Sequence, residues 1–107
     1  MLISKENLDI RNRTIEFEKR IEEMHLEFYK YCYGEESRRP DSESFEQELV
    51  NYSRKNIIDM ELSKNFDRVL YKFQNRKKVW RTWTDDMNQA LKKKLADAKA
   101  VEVEDRP

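Results

Sequence analysis

The chain has 107 residues, 22 of them Lys or Arg and 22 Asp or Glu, with zero formal net charge, 41% charged residues and a mean hydropathy of −1.09. Leu, Ile, Val and Phe together supply 24 residues, just above the level at which a chain can bury enough apolar surface to offset its ordering entropy, so one small, thin-cored domain is expected. One glycine, Gly34, and two prolines, Pro40 and Pro107, are too few for hairpin turns or a glycine-rich phosphate cradle, which excludes sandwiches, barrels and nucleotide-binding α/β folds.

Ser4 followed by Glu6 reads as a helix start, and Ile10, Phe17, Ile21, Met24, Phe28 and Tyr31 then recur at helical spacing, so a first helix is predicted from about residue 4 to Tyr33. Gly34 supplies a left-handed C-cap, and GEESRRPDS, residues 34–42, is a polar loop whose Pro40 cannot continue a helix. A second helix is predicted to begin between Ser42 and Ser44. Ser44 and Gln47 form an S-x-x-Q capping box, after which Phe45, Leu49 and Tyr52 lay down an apolar ridge. The register slips through Asn56, Ile57, Ile58 and Met60, a stretch expected to touch neighbours on two sides.

From Leu62 a heptad resumes. One position carries Leu62, Val69, Arg76, Trp83 and Ala90, and the other Phe66, Phe73, Trp80 and Met87, with Arg76 breaking the seam until Lys94. No Gly or Pro interrupts residues 41–106. Two architectures follow: three helices with a tight reversal near Gln74 to Lys78, or one long helix from about 44 to 99. At 1.5 Å per residue the long helix spans about 80 Å against about 45 Å for the first, leaving Trp80, Trp83, Met87 and Leu91 half uncovered and calling for a second chain. The tail VEVEDRP after Ala100 lacks an apolar face and is expected to fray.

Charge is neutral only as a sum. Residues 1–50 hold 8 basic and 13 acidic side chains, residues 51–100 hold 13 basic and 6 acidic, and the last seven add a net −2. Lys64, Arg68, Lys72, Arg76, Lys77, Lys78 and Arg81 crowd into one segment whose only anion is Asp67. Lys64, Arg68, Lys72 and Arg76 recur every fourth residue, so like charges share one helix ridge and require a compensating anion. The first helix offers Glu16, Glu18, Glu22, Glu23 and Glu27, and antiparallel packing of that helix on the basic segment is the expectation. The alternative is an external polyanion: Phe66, Tyr71, Phe73, Trp80 and Trp83 interleave with the cations as in surfaces that combine phosphate contacts with base stacking. All but Tyr71 lie on the seam, however, and a pI near 6.6 is low for a dedicated nucleic-acid domain. An amphipathic basic stretch over 64–83 also fits a membrane surface or a groove.

Catalytic material is sparse. His25 and Cys32 stand seven residues apart on one helix, about 10.5 Å along its axis, too far for a nucleophile and its base. Glu22 and His25 have the Glu-x-x-His spacing of carboxylate-bridged metal bundles, and Arg20 and His25 an Arg-x4-His spacing seen in some helical ribonucleases; both are short enough to arise by chance. Helical geometry turns Glu22 toward water and places His25 on the flank of the seam, with Cys32 a partly buried hydrophobe near the helix end. A lone Cys and a lone His cannot complete a zinc site in one chain. Neither a metal nor a cofactor is expected. The N-terminal MLISKENLDIRNR lacks a signal-peptide core and no apolar run spans a bilayer, so a cytoplasmic, soluble chain is the expectation.

The sequence therefore predicts an all-α protein: an antiparallel, coiled-coil-like bundle of two or three long helices over residues 1–100, completed by self-association, with a disordered tail over 101–107. The expected function is a noncatalytic protein–protein interaction or scaffolding module whose partners are a second copy, as a homodimer, and another protein. Trp80, Trp83, Met87 and Leu91 are the expected partner-binding residues. Nucleic-acid binding through the seven cations of segment 64–81 is the first alternative, and a carboxylate/His metal-binding bundle the second.

Overall fold

Helix α1, Lys5–Cys32, starts as the sequence predicts: Ser4 is its N-cap, and the Ser4 hydroxyl accepts the Asn7 amide at 3.1 Å. It ends where Tyr33 donates its amide to the Tyr29 carbonyl and Gly34 takes φ 86°, a conformation that costs a side chain strain and glycine almost none. The computed structural model describes residues 4–34 and 38–104, with side chains as far as Lys99. Part of the predicted 34–42 loop and the last three residues of the tail thus lie outside the described residues.

Helix α2, Ser42–Ser53, is capped one turn earlier than the S-x-x-Q pattern implies. Asp41 is the N-cap, with Oδ1 accepting the Ser44 amide at 3.0 Å and Oδ2 the Ser44 hydroxyl at 2.7 Å. Ser44 thus serves the cap from inside the helix, and Gln47 points instead to Asn51, 3.5 Å away.

Both architectures proposed from the sequence misplace the reversal. The chain turns at residues 54–59, and helix α3, Met60–Glu104, runs unbroken through Gln74 to Lys78. Neither Gly nor Pro makes this break. The Ser53 hydroxyl bonds the Val50 carbonyl, closing α2, and Asp59 opens α3 by accepting the Leu62 amide on Oδ1 at 3.0 Å. Ile57 tucks against the core at the turn while Ile58 is 88% exposed, so the register slip at these residues marks the end of one helix. Asp59→Ala should cost about 1 kcal/mol and lower the melting temperature by about 4 °C, whereas Asp59→Asn, which keeps the acceptor, should melt near the parent. Thermal unfolding followed by circular dichroism checks both.

The contacts fix the directions. Phe17 meets Phe66, Glu22 meets Arg76, His25 meets Trp80 and Cys32 meets Thr84, so α1 and α3 run parallel. Phe45 meets Phe73 and Tyr52 meets Phe66, so α2 runs antiparallel to α3. The result is an all-α, up-down-up bundle in which α1 packs chiefly on α3. The antiparallel course expected for α1 on the basic segment is corrected to a parallel one, because α2 takes up one whole reversal between them.

The predicted seams supply the core. Ile10, Phe17, Ile21, Met24 and Phe28 of α1, Phe45 and Leu49 of α2, and Phe66, Val69, Phe73 and Trp80 of α3 are all buried. Pro40 is buried as well. The thin core is aromatic-rich, with Phe17 meeting Phe45, Tyr52 and Phe66 edge-on at centroid distances of 5.9, 5.4 and 6.1 Å.

The bundle ends at the Cys32–Thr84 contact, but α3 does not. The remainder, residues 85–104, projects about 30 Å beyond it, and the molecule measures 83 × 20 × 16 Å. Its radius of gyration, 20.7 Å, exceeds the ~13 Å of a compact domain this long. The helix continues through Glu104, four residues into the segment expected to fray. No helix among the described residues is long and apolar enough to cross a membrane.

Candidate interaction surface

Where α1 stops, the top of the bundle is built from aromatic side chains. Trp80 is 2% exposed, stacked on Phe28 at 4.7 Å with an 11° interplanar angle, and its indole N–H donates to His25 Nδ1 at 3.0 Å. That bond requires a neutral imidazole with its proton on Nε2. Burial, reinforced by the Arg76 guanidinium and opposed by Glu22, holds the His25 pKa below its ordinary value. Trp83 lies one turn further along, half-buried against His25 at 5.0 Å, Tyr29 at 5.9 Å and Tyr33 at 6.4 Å. Tyr29 and Tyr33 remain 47% and 61% exposed.

At 100° per residue, Phe66, Val69, Phe73, Trp80, Met87, Leu91 and Ala98 fall within one sector of about 60° on α3, with Leu95 at its edge. The lower four face α1 and α2; among the described residues no other helix covers the sector from Met87 upward. Met87 is half-buried, Leu91 is 51% exposed and Leu95 64%. The face is therefore one hydrophobic stripe, covered in its lower half and open in its upper half. Of the four partner-binding residues read from the sequence, Trp80 is already enclosed within the chain, Trp83 and Met87 sit at the boundary, and Leu91 is open. Leu95 belongs with them; its spacing of four from Leu91 was visible in the sequence.

The basic segment divides. Lys72 Nζ bonds Glu18 at 3.3 Å and Glu22 at 2.6 Å, Arg76 reaches Glu22 at 3.1 Å, and Lys77 meets Glu46 of α2 at 2.7 Å. The Lys72 hydrogen bond, with Arg76 beside it, holds the Glu22 carboxyl below its ordinary pKa, and Glu22 in turn raises Lys72. Glu22 stays exposed, as its helical angle suggested, and from the surface it reaches across to two cations of α3 that the parallel course of α1 brings beside it. Glu16, Glu23 and Glu27 pair with Arg13 and Arg20 on their own helix. Among the described residues no carboxylate lies within ion-pair distance of Lys64, Arg68, Lys78 or Arg81, all exposed.

No family model, curated protein or solved structure matches this chain.

The shorter motifs are absorbed by packing. His25 spends its Nδ1 lone pair on Trp80, Glu22 is committed to Lys72 and Arg76, and Arg20 to Glu23 and Glu27. Cys32 is half-buried, with Sγ 3.9 Å from the Thr84 hydroxyl. Among the described residues no three His, Cys, Asp or Glu side chains converge as a metal site requires. Among those residues, too, no buried side-chain nitrogen or oxygen lacks a hydrogen-bond partner that a ligand would have to satisfy.

Proposed function

We propose that the protein is a noncatalytic interaction or scaffolding module that holds a partner helix against the projecting part of α3, through Trp83, Met87, Leu91 and Leu95. One observation carries this reading: the stripe that forms the core of the bundle continues past the ends of α1 and α2 with its apolar character intact and its cover gone. A helix offering anchors three and four residues apart on an exposed face is the element that helix-to-helix recognition uses. The aromatic cluster of Tyr29, Tyr33 and Trp83 at its foot adds the residue types that dominate interface energetics. The nucleic-acid reading has less to draw on, since three of its seven cations are engaged by glutamates of this chain, and of the four others Lys64, Arg68 and Lys78 occupy the outer face of α3 with Tyr71 while Arg81 borders a cleft beside Phe28 and Trp80.

The double substitution Leu91→Asp with Leu95→Asp should abolish association, whether with a second copy or with another protein isolated from the source cells. It should leave the melting temperature within about 2 °C of the parent, because these side chains are more than half exposed and lie outside the core cluster. Size-exclusion chromatography with light scattering, together with affinity isolation, checks this. Association that survives the double substitution would end the proposal.

A further inference from the structure

At the lower end of the bundle the basic row of α3 loses its counterions. Lys64, Arg68, Lys72 and Arg76 follow one another at every fourth residue, and α1 answers the upper two at a constant offset of 54 positions, Glu18 to Lys72 and Glu22 to Arg76. The same offset brings Ile10 level with Lys64 and Thr14 level with Arg68. Neither is acidic, and the Thr14 hydroxyl is spent on the Ile10 carbonyl of its own helix at 2.8 Å. One heptad below Glu18, on the same face of α1, stands Arg11, so a second guanidinium takes the place of the next carboxylate.

Arg11 and Arg68 border one narrow cleft of about 150 Å³ between α1 and α3, together with Ile15, Leu62 and Asn65. Glu18 borders it too, but its carboxylate bonds Lys72. Among the described residues neither guanidinium has a carboxylate within ion-pair distance. On their own helices no residue three or four positions from either one is acidic, and Arg68 has Lys64 on one side and Lys72 on the other. Two positive groups at the edge of one small cleft repel each other, and an anion between them removes that repulsion.

We infer that this cleft is a binding site for a phosphate group, held between the guanidiniums of Arg11 and Arg68, with the Asn65 amide as a further donor. A guanidinium offers parallel N–H groups that match two oxygens of one anion, and two such forks suit a group with three acceptor oxygens and close to two negative charges better than a singly charged carboxylate. Lys64, exposed one turn below Arg68, adds to the positive field. The cleft is smaller than the ~300–1,000 Å³ of sites that enclose whole small molecules, so it takes the anionic group and leaves the rest of its carrier in solvent. It lies about 35 Å along α3 from Leu91, and its occupation is independent of the partner helix proposed above.

Titration of the full chain with inorganic phosphate, at an ionic strength held constant with sodium chloride, tests this, with the NMR signals of the arginine and Asn65 side chains reporting binding. The shifts should saturate with a Kd of about 1 mM or tighter. Arg11→Gln and Arg68→Gln should each weaken binding at least about tenfold. Lys78→Gln, which removes an exposed cation away from the cleft, should leave it within about twofold. Acetate should bind at least about tenfold more weakly than phosphate. Phenyl phosphate separates two sources of the same group: affinity equal to that of inorganic phosphate shows a site for an ester on a larger molecule, and much weaker affinity a site for the free ion. Arg11→Glu supplies the missing carboxylate, and it should abolish phosphate binding while raising the melting temperature by about 1–4 °C. Shifts that never saturate, a loss as large in Lys78→Gln as in Arg68→Gln, or acetate as tight as phosphate would each overturn the inference. So would a melting temperature lowered by more than about 2 °C in both glutamine variants, which would assign the two arginines to packing.

Discussion

Phe73→Ala is expected to destabilise the bundle by about 3–5 kcal/mol, the range for truncating an enclosed aromatic side chain. Phe73 has no solvent exposure and sits at the middle of α3, touching Phe45 on α2 and, edge-on, Trp80 on its own helix. Its ring is part of the single core cluster among the described residues, so no neighbouring layer can close the space. Against the ~5–15 kcal/mol that holds a domain of this kind together, the loss leaves a marginal or unfolded protein. Urea titration followed by circular dichroism should show the midpoint falling steeply. Leu91→Ala, the same chemistry on the open half of the same stripe, should shift the monomer midpoint hardly at all. Equal effects at the two positions would mean that the stripe is covered along its whole length within one chain.

The second large effect is on pH. His25 holds its imidazole neutral to accept the Trp80 indole proton, and the groups facing it are Glu22 and Tyr29 on its own helix and Arg76, Trp80 and Trp83 on α3. Burial and Arg76 lower its pKa below the unfolded value of 6.5. The folded state then binds fewer protons than the unfolded one below that pH, and stability must fall as pH drops from about 6.5 through the folded pKa. Protonation sets an N–H on Nδ1 against the indole N–H, leaving a buried donor unpaired at about 1–3 kcal/mol. Glu22 adds a separate limb. Its folded pKa is depressed by Lys72, so its contribution is intact above the ordinary 4.5 and fades only under stronger acid. Stability measured by urea from pH 8 to pH 5 should decline in the parent and stay nearly level in His25→Asn, whose side-chain oxygen can replace Nδ1 as acceptor without titrating. A parent stability flat over that range would contradict the hydrogen bond.

The all-helical class, the start and end of α1, and most of the inward face of each helix are legible in the sequence. Helical spacing picked out Ile10, Phe17, Ile21, Met24 and Phe28, then Phe45 and Leu49, then Phe66, Val69, Phe73 and Trp80, all buried, while Tyr31, Tyr52, Leu62, Trp83 and Met87 of the same ridges are half-buried and Ala90 is exposed. Apolar periodicity is a local signal, fixed by the geometry of one helix, and packing partners cannot change which residues share a face. Ser4 and Gly34 were legible for the same reason, since caps are made within a single turn of chain. The break at 54–59 was legible only as a slipped register. A chain without Gly or Pro can still leave a helix when side chains such as Ser53 and Asp59 offer the backbone other hydrogen bonds, and whether they do depends on what the following helix gains by turning back.

The tertiary structure alone decided direction and coverage. Glu22 and the ridge of Lys72 and Arg76 could be matched as charges in either orientation; only the intervening antiparallel α2 makes α1 and α3 parallel and brings these residues within 3.1 Å. The fate of Trp80 and Leu91 turned on the same point. The two lie on one face of one helix and read alike in sequence, yet Trp80 is enclosed and Leu91 is 51% exposed. Burial is set by where a neighbouring helix ends, and the end of α1 at Cys32, level with Thr84, is a consequence of long-range register that no periodicity in α3 contains.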